Sequence, residues 1–252
     1  MGLRGAWANP PLKPTRRRSI PNLSLSKLSL RKTLRLQDNH KRLALTKSVA
    51  VIGTTTWGTT LGIILARNAV SVCLVARTDS EAEELDSKRR NMRFLPDVPF
   101  PSGLRISSDL KGSISSAALV ILAVPSHQLR QNIRWISSSL TSGTIVVSAA
   151  KGLELPGGER MSQVLDQELD SEFHSGICAL SGPNLAHEII QGKISSTVIA
   201  GRDPEKTAEA QSILMTSSFR VYTSDHIVGV ELAGTLKNII ALGAGIGDGM
   251  DA

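Results

Sequence analysis

Residues 49–66 read VAVIGTTTWGTTLGIILA, and no other stretch of the chain constrains its fold as strongly. Val49–Ile52 is an apolar run of strand length. It stops at Gly53, and a helical pattern opens near Gly58. A strand, a glycine turn and a helix N-terminus together make a phosphate-binding device, because the helix end offers free N–H groups and partial positive charge. The dinucleotide-binding pattern is G-x-G-x-x-G. Here it reads Gly53-Thr54-Thr55-Thr56-Trp57-Gly58, with the first and third glycines in place and Thr55 at the second. The middle glycine normally lets the backbone approach a pyrophosphate. The Thr55 side chain crowds that approach, while its hydroxyl offers a phosphate a bond of its own. On these residues alone, a strand–turn–helix corner without a ligand also fits.

The rest of the chain repeats the alternation. A helix is predicted over 58–69, then a buried strand over Ser71–Val75 that ends at Ala76-Arg77. An acidic residue about 20 positions past the glycine turn bonds the ribose 2′-hydroxyl in NAD sites. Arg77 stands there instead; an arginine stacks on adenine and pairs with a 2′-phosphate, which favours NADP or at least its tolerance, and the competing reading is a surface arginine at a strand end. Residues 79–92 read as a charged, solvated helix, followed by a loop holding Pro96, Pro99 and Pro101. Strands are predicted at Leu119–Val124, closed by Pro125-Ser126, and at Thr144–Ala149, closed by Lys151-Gly152, with a helix over 127–140 between them. Helices at 159–170 and 204–216 and strands at Ile177–Leu180, Ile194–Ala200 and Phe219–Tyr222 follow. This pattern predicts an α/β, Rossmann-like, doubly wound, mostly parallel sheet. Gly53, Arg77, Pro125 and Lys151 all fall just past predicted strand ends, where ligands of such sheets bind. From Asp225 the texture becomes Ala/Gly-rich and helical, with Glu231, Lys237 and Asn238 embedded in apolar sequence. A lysine among Leu236, Ile239 and Ile240 is costly unless it is paired, functional or snorkelling from the polar face.

Charge is segregated. Residues 1–45 hold 11 Lys and Arg against one acid, Asp38, which leaves 18 of the 29 basic and 21 of the 22 acidic residues for the body. An Arg- and Ser-rich, acid-poor N-terminus reads as an organelle transit peptide. The competing reading is a basic arm for nucleic acid, but Trp7 is the only aromatic residue there to serve as a stacking platform. No apolar run approaches 18 residues, so no membrane span is expected. Cys73 and Cys178 lie in apolar runs without metal or disulfide spacing and read as buried thiols.

Several motifs recur in one order. They are Gly53 with Trp57-Gly58-Thr59 and Leu61, Asn91 with Phe94-Leu95-Pro96, and Ala123-Val124-Pro125-Ser126 with Arg130. Lys151-Gly152, Ser181-Gly182-Pro183-Asn184 with Ala186 and Glu188, and Gly229-Val230-Glu231-Leu232 through Leu236-Lys237-Asn238 complete the set. In this order and spacing the chain resembles the NAD(P)-dependent glycerol-3-phosphate dehydrogenases of the bacterial and plastid type, from residue 48 to residue 250. The resemblance implies residues 46–224 as the NAD(P)-binding domain and 225–252 as the start of an all-helical substrate domain, of which the family carries more beyond Ala252; the chain then reads as a fragment or a shortened form.

The implied activity is hydride transfer from NADPH or NADH to dihydroxyacetone phosphate, giving sn-glycerol 3-phosphate for glycerolipid synthesis. Lys237 matches the catalytic lysine, with Lys151 and Asn238 orienting the substrate and Gly182 and Asn184 contacting it. Gly53, Thr55, Thr56, Trp57, Gly58, Arg77, Phe94, Pro125, Lys151 and Ala186 match cofactor contacts. The partners expected are a small-molecule substrate and a second copy in a homodimer, with no nucleic acid. The expected location is the plastid stroma, ahead of mitochondrion or cytosol. Another two-domain Rossmann dehydrogenase and a non-catalytic NAD(P)-binding protein are the competing readings.

Overall fold

The structure, a computed structural model, describes residues 47–250. The expectation of a leader over 1–45 falls outside those residues. In chain order the elements are β1 (Ser48–Ile52), α1 (Thr56–Arg67), β2 (Ser71–Val75), α2 (Asp79–Lys88), β3 (Arg90–Asn91), β4 (Leu95–Pro99), β5 (Leu104–Ser107), α3 (Leu110–Ile114), β6 (Ala117–Leu122) and α4 (Leu129–Ile136). There follow β7 (Ile145–Ser148), β8 (Leu153–Glu154), β9 (Glu159–Arg160), α5 (Met161–Glu168), β10 (Ile177–Ser181), α6 (Ala186–Ile190), β11 (Ser195–Gly201), α7 (Pro204–Leu214), β12 (Phe219–Ser224) and α8 (Ile227–Gly249).

Eight strands form one sheet in the order β12-β11-β10-β7-β6-β1-β2-β5. Every neighbouring pair is parallel except β10 with β11. The chain leaves β1 toward β2 and β5, then returns to β6 on the other side. That reversal opens a crevice beyond the carboxyl ends of β1 and β6, the usual ligand position in a doubly wound sheet. Residues alternate across β1. Val49 and Val51 pack on one face with Leu61 and Leu65 of α1, while Ala50 and Ile52 pack on the other with Ile133 of α4 and Val164 of α5. Both faces are covered, which is why these strands read as unbroken apolar runs. Cys73 and Cys178 are buried and unbridged; desolvation pushes the Cys178 thiol up to about 11.

Three local expectations are corrected. The helix expected over 79–92 ends at Lys88, where Arg89 turns left-handed with φ 47° and the chain enters β3. The proline-bearing loop contains β4, paired antiparallel with β3. The segment 127–140 is a 3-10 turn, α4 and a second 3-10 turn rather than one helix.

The helix α8 is long and apolar enough to cross a membrane by length and composition, although it contains no uninterrupted apolar run of that length. This helix also buries a carboxylate. Glu231 accepts hydrogen bonds from Arg160 Nη1 at 2.6 Å, Ser162 N at 2.7 Å and Ser162 Oγ at 2.7 Å. Those contacts tie α8 to the first turn of α5.

Candidate active site

The turn after β1 is shaped by its two glycines. Gly53 has φ +108°, and a Cβ there would stand 2.8 Å from both Ala123 O and Val124 Cγ1. A Cβ on Gly58 would stand 1.9 Å from Gly53 O. Strand end and helix start are therefore pressed together in a way only glycine permits. Thr55 needs no such freedom. Its backbone is ordinary, at φ −65° and ψ 170°, and it is the N-cap of α1. Its hydroxyl accepts from Gly58 N at 3.1 Å and donates to Ala123 O at 2.8 Å. The side chain thus stitches the turn to the end of β6, and its hydroxyl is already engaged within the protein.

Asn91 was visible in sequence only as part of a motif, and the fold gives it a specific task. It is buried, and its Nδ2 donates to Thr54 O at 2.7 Å and to Thr59 Oγ1 at 2.9 Å, while its Oδ1 accepts from Phe94 N at 3.2 Å. One amide thereby clamps the glycine turn to the Phe94 segment. Thr56 opens α1 and is half-buried, and Trp57 packs edge-on to Phe219 with ring centroids 6.3 Å apart.

A cleft of about 330 Å³ lies beside this turn, lined among others by Gly53, Thr55, Arg77, Glu81, Pro125 and Trp135. Arg77 leans across to α4, where its Nη1 donates to Asn132 Oδ1 at 3.0 Å and its guanidinium sits 4.6 Å from the centre of the Trp135 ring. Phe94, under the Arg93 guanidinium at 4.9 Å, does not line this cleft, nor does Ala186 at the start of α6.

A second groove, of about 370 Å³, separates the Ser181-Gly182-Pro183 turn from the first half of α8 and is lined by Gly182, His226, Gly234 and Lys237 among others. Gly234 allows this approach, since a Cβ there would meet Ser181 Oγ at 2.4 Å and Lys151 Cγ at 3.9 Å. Lys151 Nζ donates to Gly182 O at 2.9 Å. Desolvation holds the Lys151 pKa below the ordinary lysine range, and the positive charge of Lys237 lowers it further. Lys151, Gly182 and Lys237 are thus brought together. Asn238 is exposed and lines neither cavity. Asn184 lines neither: its Nδ2 donates to Thr197 Oγ1 at 3.0 Å and its Oδ1 accepts from Ser195 Oγ at 3.3 Å, so its side chain is bound to β11.

The glycine cradle, the α1 N-terminus and the cleft at the β1/β6 reversal fit a dinucleotide. Fold and site define a Rossmann-type dinucleotide-binding domain with a lysine-bearing groove. The chain belongs to the NAD-dependent glycerol-3-phosphate dehydrogenase family, for residues 48–207 match the family described as NAD-dependent glycerol-3-phosphate dehydrogenase N-terminus.

Glycerol-3-phosphate dehydrogenase (NAD(P)+) of Dehalococcoides mccartyi is 50% identical over 204 residues, 80% of this chain and 56% of that protein. The protein of the same name from Chlorobium limicola is 42% identical over 202 residues, 80% of this chain and 61% of that one. The crystal structure of glycerol-3-phosphate dehydrogenase from Coxiella burnetii superposes with a TM-score of 0.72 at 30% identity, covering 81% of this chain and 62% of that one. The chain thus spans less than two thirds of the length of each of these relatives. The family is NAD(P)-dependent and composed of oxidoreductases, with an NAD-binding N-terminal domain.

Proposed function

We propose that this chain supplies the cofactor cleft and the carbonyl-side lysines of a glycerol-3-phosphate dehydrogenase that interconverts dihydroxyacetone phosphate and sn-glycerol 3-phosphate, a glycerolipid precursor. The observation that carries the reading is a groove lined by Gly182 and Lys237, with Lys151 held beside it by its bond to the Gly182 carbonyl. The glycine turn, Thr56 and the α1 N-terminus would hold the pyrophosphate, and Arg77 would lie beside the adenosine half. When bound, the reduced nicotinamide supplies the hydride.

Addition of hydride to the C2 carbonyl leaves negative charge on its oxygen. A nearby ammonium stabilises that charge and delivers the proton that completes the alcohol. Lys237, on α8 at the groove, takes this role and is reprotonated from solvent. Lys151 is fixed by its bond to the Gly182 carbonyl, so its ammonium orients substrate oxygen with little side-chain freedom left to lose. Asn238 and Asn184 enter the substrate assignment by resemblance alone.

The test is turnover of dihydroxyacetone phosphate with NADH and NADPH. Lys237→Ala should lower the rate by at least 10²-fold and leave dinucleotide affinity within about threefold. Normal turnover in that variant would remove Lys237 from the chemistry. The basic leader supports a plastid location, with mitochondrion the alternative; a reporter fused to residues 1–45 that stayed cytosolic would overturn both.

A further inference from the structure

The adenosine end of the cofactor cleft has a wall that the glycine pattern does not account for. Glu81 stands in the first turn of α2 and lines the cleft. Its position is over-determined. Thr78 Oγ1 accepts from Glu81 N at 3.2 Å, and Glu81 Oε2 accepts from Arg77 N at 2.8 Å. Its other carboxylate oxygen accepts from the hydroxyl of Thr54, the second residue of the glycine turn. The acid is therefore pinned between the turn that faces the pyrophosphate and the end of β2.

The Arg77 side chain does not neutralise it. That guanidinium is held on the opposite wall by Asn132 and Trp135, and among the described residues no lysine or arginine forms an ion pair with Glu81. The cleft thus presents a guanidinium from α4's side and an unpaired carboxylate from α2's side. An ionised carboxylate only accepts hydrogen bonds, and each of its oxygens retains a free lone pair after accepting one. It suits the hydroxyls of an unmodified ribose and opposes the charge of a 2′-phosphate, which has acceptors alone.

We propose that Glu81 is a specificity-determining residue of this cleft. Its carboxylate receives a ribose hydroxyl of NAD and holds down the affinity for NADP that Arg77 alone would give. The inference rests on the reading of the cleft as the NAD(P) site and deepens it.

The experiment uses the full chain and direct binding, with NADH and NADPH titrated separately by nicotinamide fluorescence. Glu81→Gln keeps the size and one oxygen acceptor. The ratio of NADPH to NADH affinity should rise about tenfold, equivalent to about 1.4 kcal/mol. A residue that only braced α2 and Thr54 would weaken both cofactors together and leave the ratio unchanged, and that result overturns the proposal.

Two fragments titrated into the unaltered chain keep the test open if the variant fails to fold. ADP should bind at least as tightly as 2′,5′-ADP, and a tenfold advantage for 2′,5′-ADP overturns the proposal. Unaltered chain that binds no dinucleotide would overturn the reading of the cleft and the role of Glu81 with it. Binding of both cofactors with an unmoved ratio overturns Glu81 alone.

Discussion

Removing the Glu231 carboxylate should release α8 from the sheet domain without unfolding the sheet. Of the residues of α8, only Ile227 and Glu231 are buried. Ile227 brings roughly 2 kcal/mol of apolar burial. Glu231 meets Arg160 Nη1 and both the N–H and hydroxyl of Ser162, which is itself fully buried. The side chains of Glu231 and Arg160 are 7% and 17% exposed, so solvent screens the pair little. Taking one partner from a buried, hydrogen-bonded ion pair costs about 3–5 kcal/mol, because the survivor is left unpaired.

For Glu231→Ala a value near 3 kcal/mol is expected, since Arg160 retains some water and also bonds Ser162 Oγ at 2.8 Å. If α8 opens locally, that energy appears as faster amide exchange, about 10²-fold at 1.4 kcal/mol per decade. Hydrogen exchange by mass spectrometry should show this acceleration in peptides covering 227–249 and none in peptides covering β1 and β6. Glu231→Gln, which keeps an acceptor for Ser162 N–H, should fall between. Protection of α8 within threefold of the unaltered chain would refute the argument. A uniform loss across the sheet would refute it differently, by making Glu231 a determinant of global stability.

Two further predictions concern the glycine turn. Gly58→Ala places a Cβ 1.9 Å from Gly53 O, so the turn must open, and dinucleotide affinity should fall at least tenfold by fluorescence titration; unchanged affinity would show that the turn is not the binding element. Thr55→Gly restores the usual glycine pattern but removes an N-cap and a bond to Ala123 O, so it should lower stability by about 1 kcal/mol, or about 2–4 °C in Tm, with no gain in affinity; tighter binding would mean that the side chain crowds the ligand after all.

The central strands were legible because they are covered on both faces. Such strands must be apolar throughout, and Val49–Ile52, Leu119–Leu122 and Ile145–Val147 are. The edge strand β5 was not, because Leu104–Ser107 pairs on one side only and tolerates Arg105. Set against the glycine pattern, Thr55 reads as a side chain that either crowds the pyrophosphate or bonds it through its hydroxyl. The same position read as an N-cap signal, Thr ahead of a helical run, would have given its structural role. Asn91 and Glu231 could be picked out by motif but not explained. Their partners lie 37 and 69 residues away, and no local period encodes such contacts. Glu81 sits inside a run of charges that reads as a solvated helix face. The sequence marks the acid, but only the return of α2 toward the glycine turn brings it to Thr54.

The lysines make the strongest case that the groove is more than a packing seam. Burial first, and the charge of Lys237 second, hold the Lys151 ammonium below its ordinary pKa, an unfavourable setting for a charged group in a resting protein. The fold nevertheless enforces it. Gly182 O fixes Lys151, Gly234 keeps α8 close to Ser181 and the Lys151 stem, and Glu231 anchors the helix that carries Lys237. A negatively charged oxygen beside the two ammonium groups is stabilised by both. In the reduction proposed above, an oxygen that becomes negative as hydride arrives would therefore be bound more tightly after the carbonyl has begun to react than before, and such a difference accelerates a reaction.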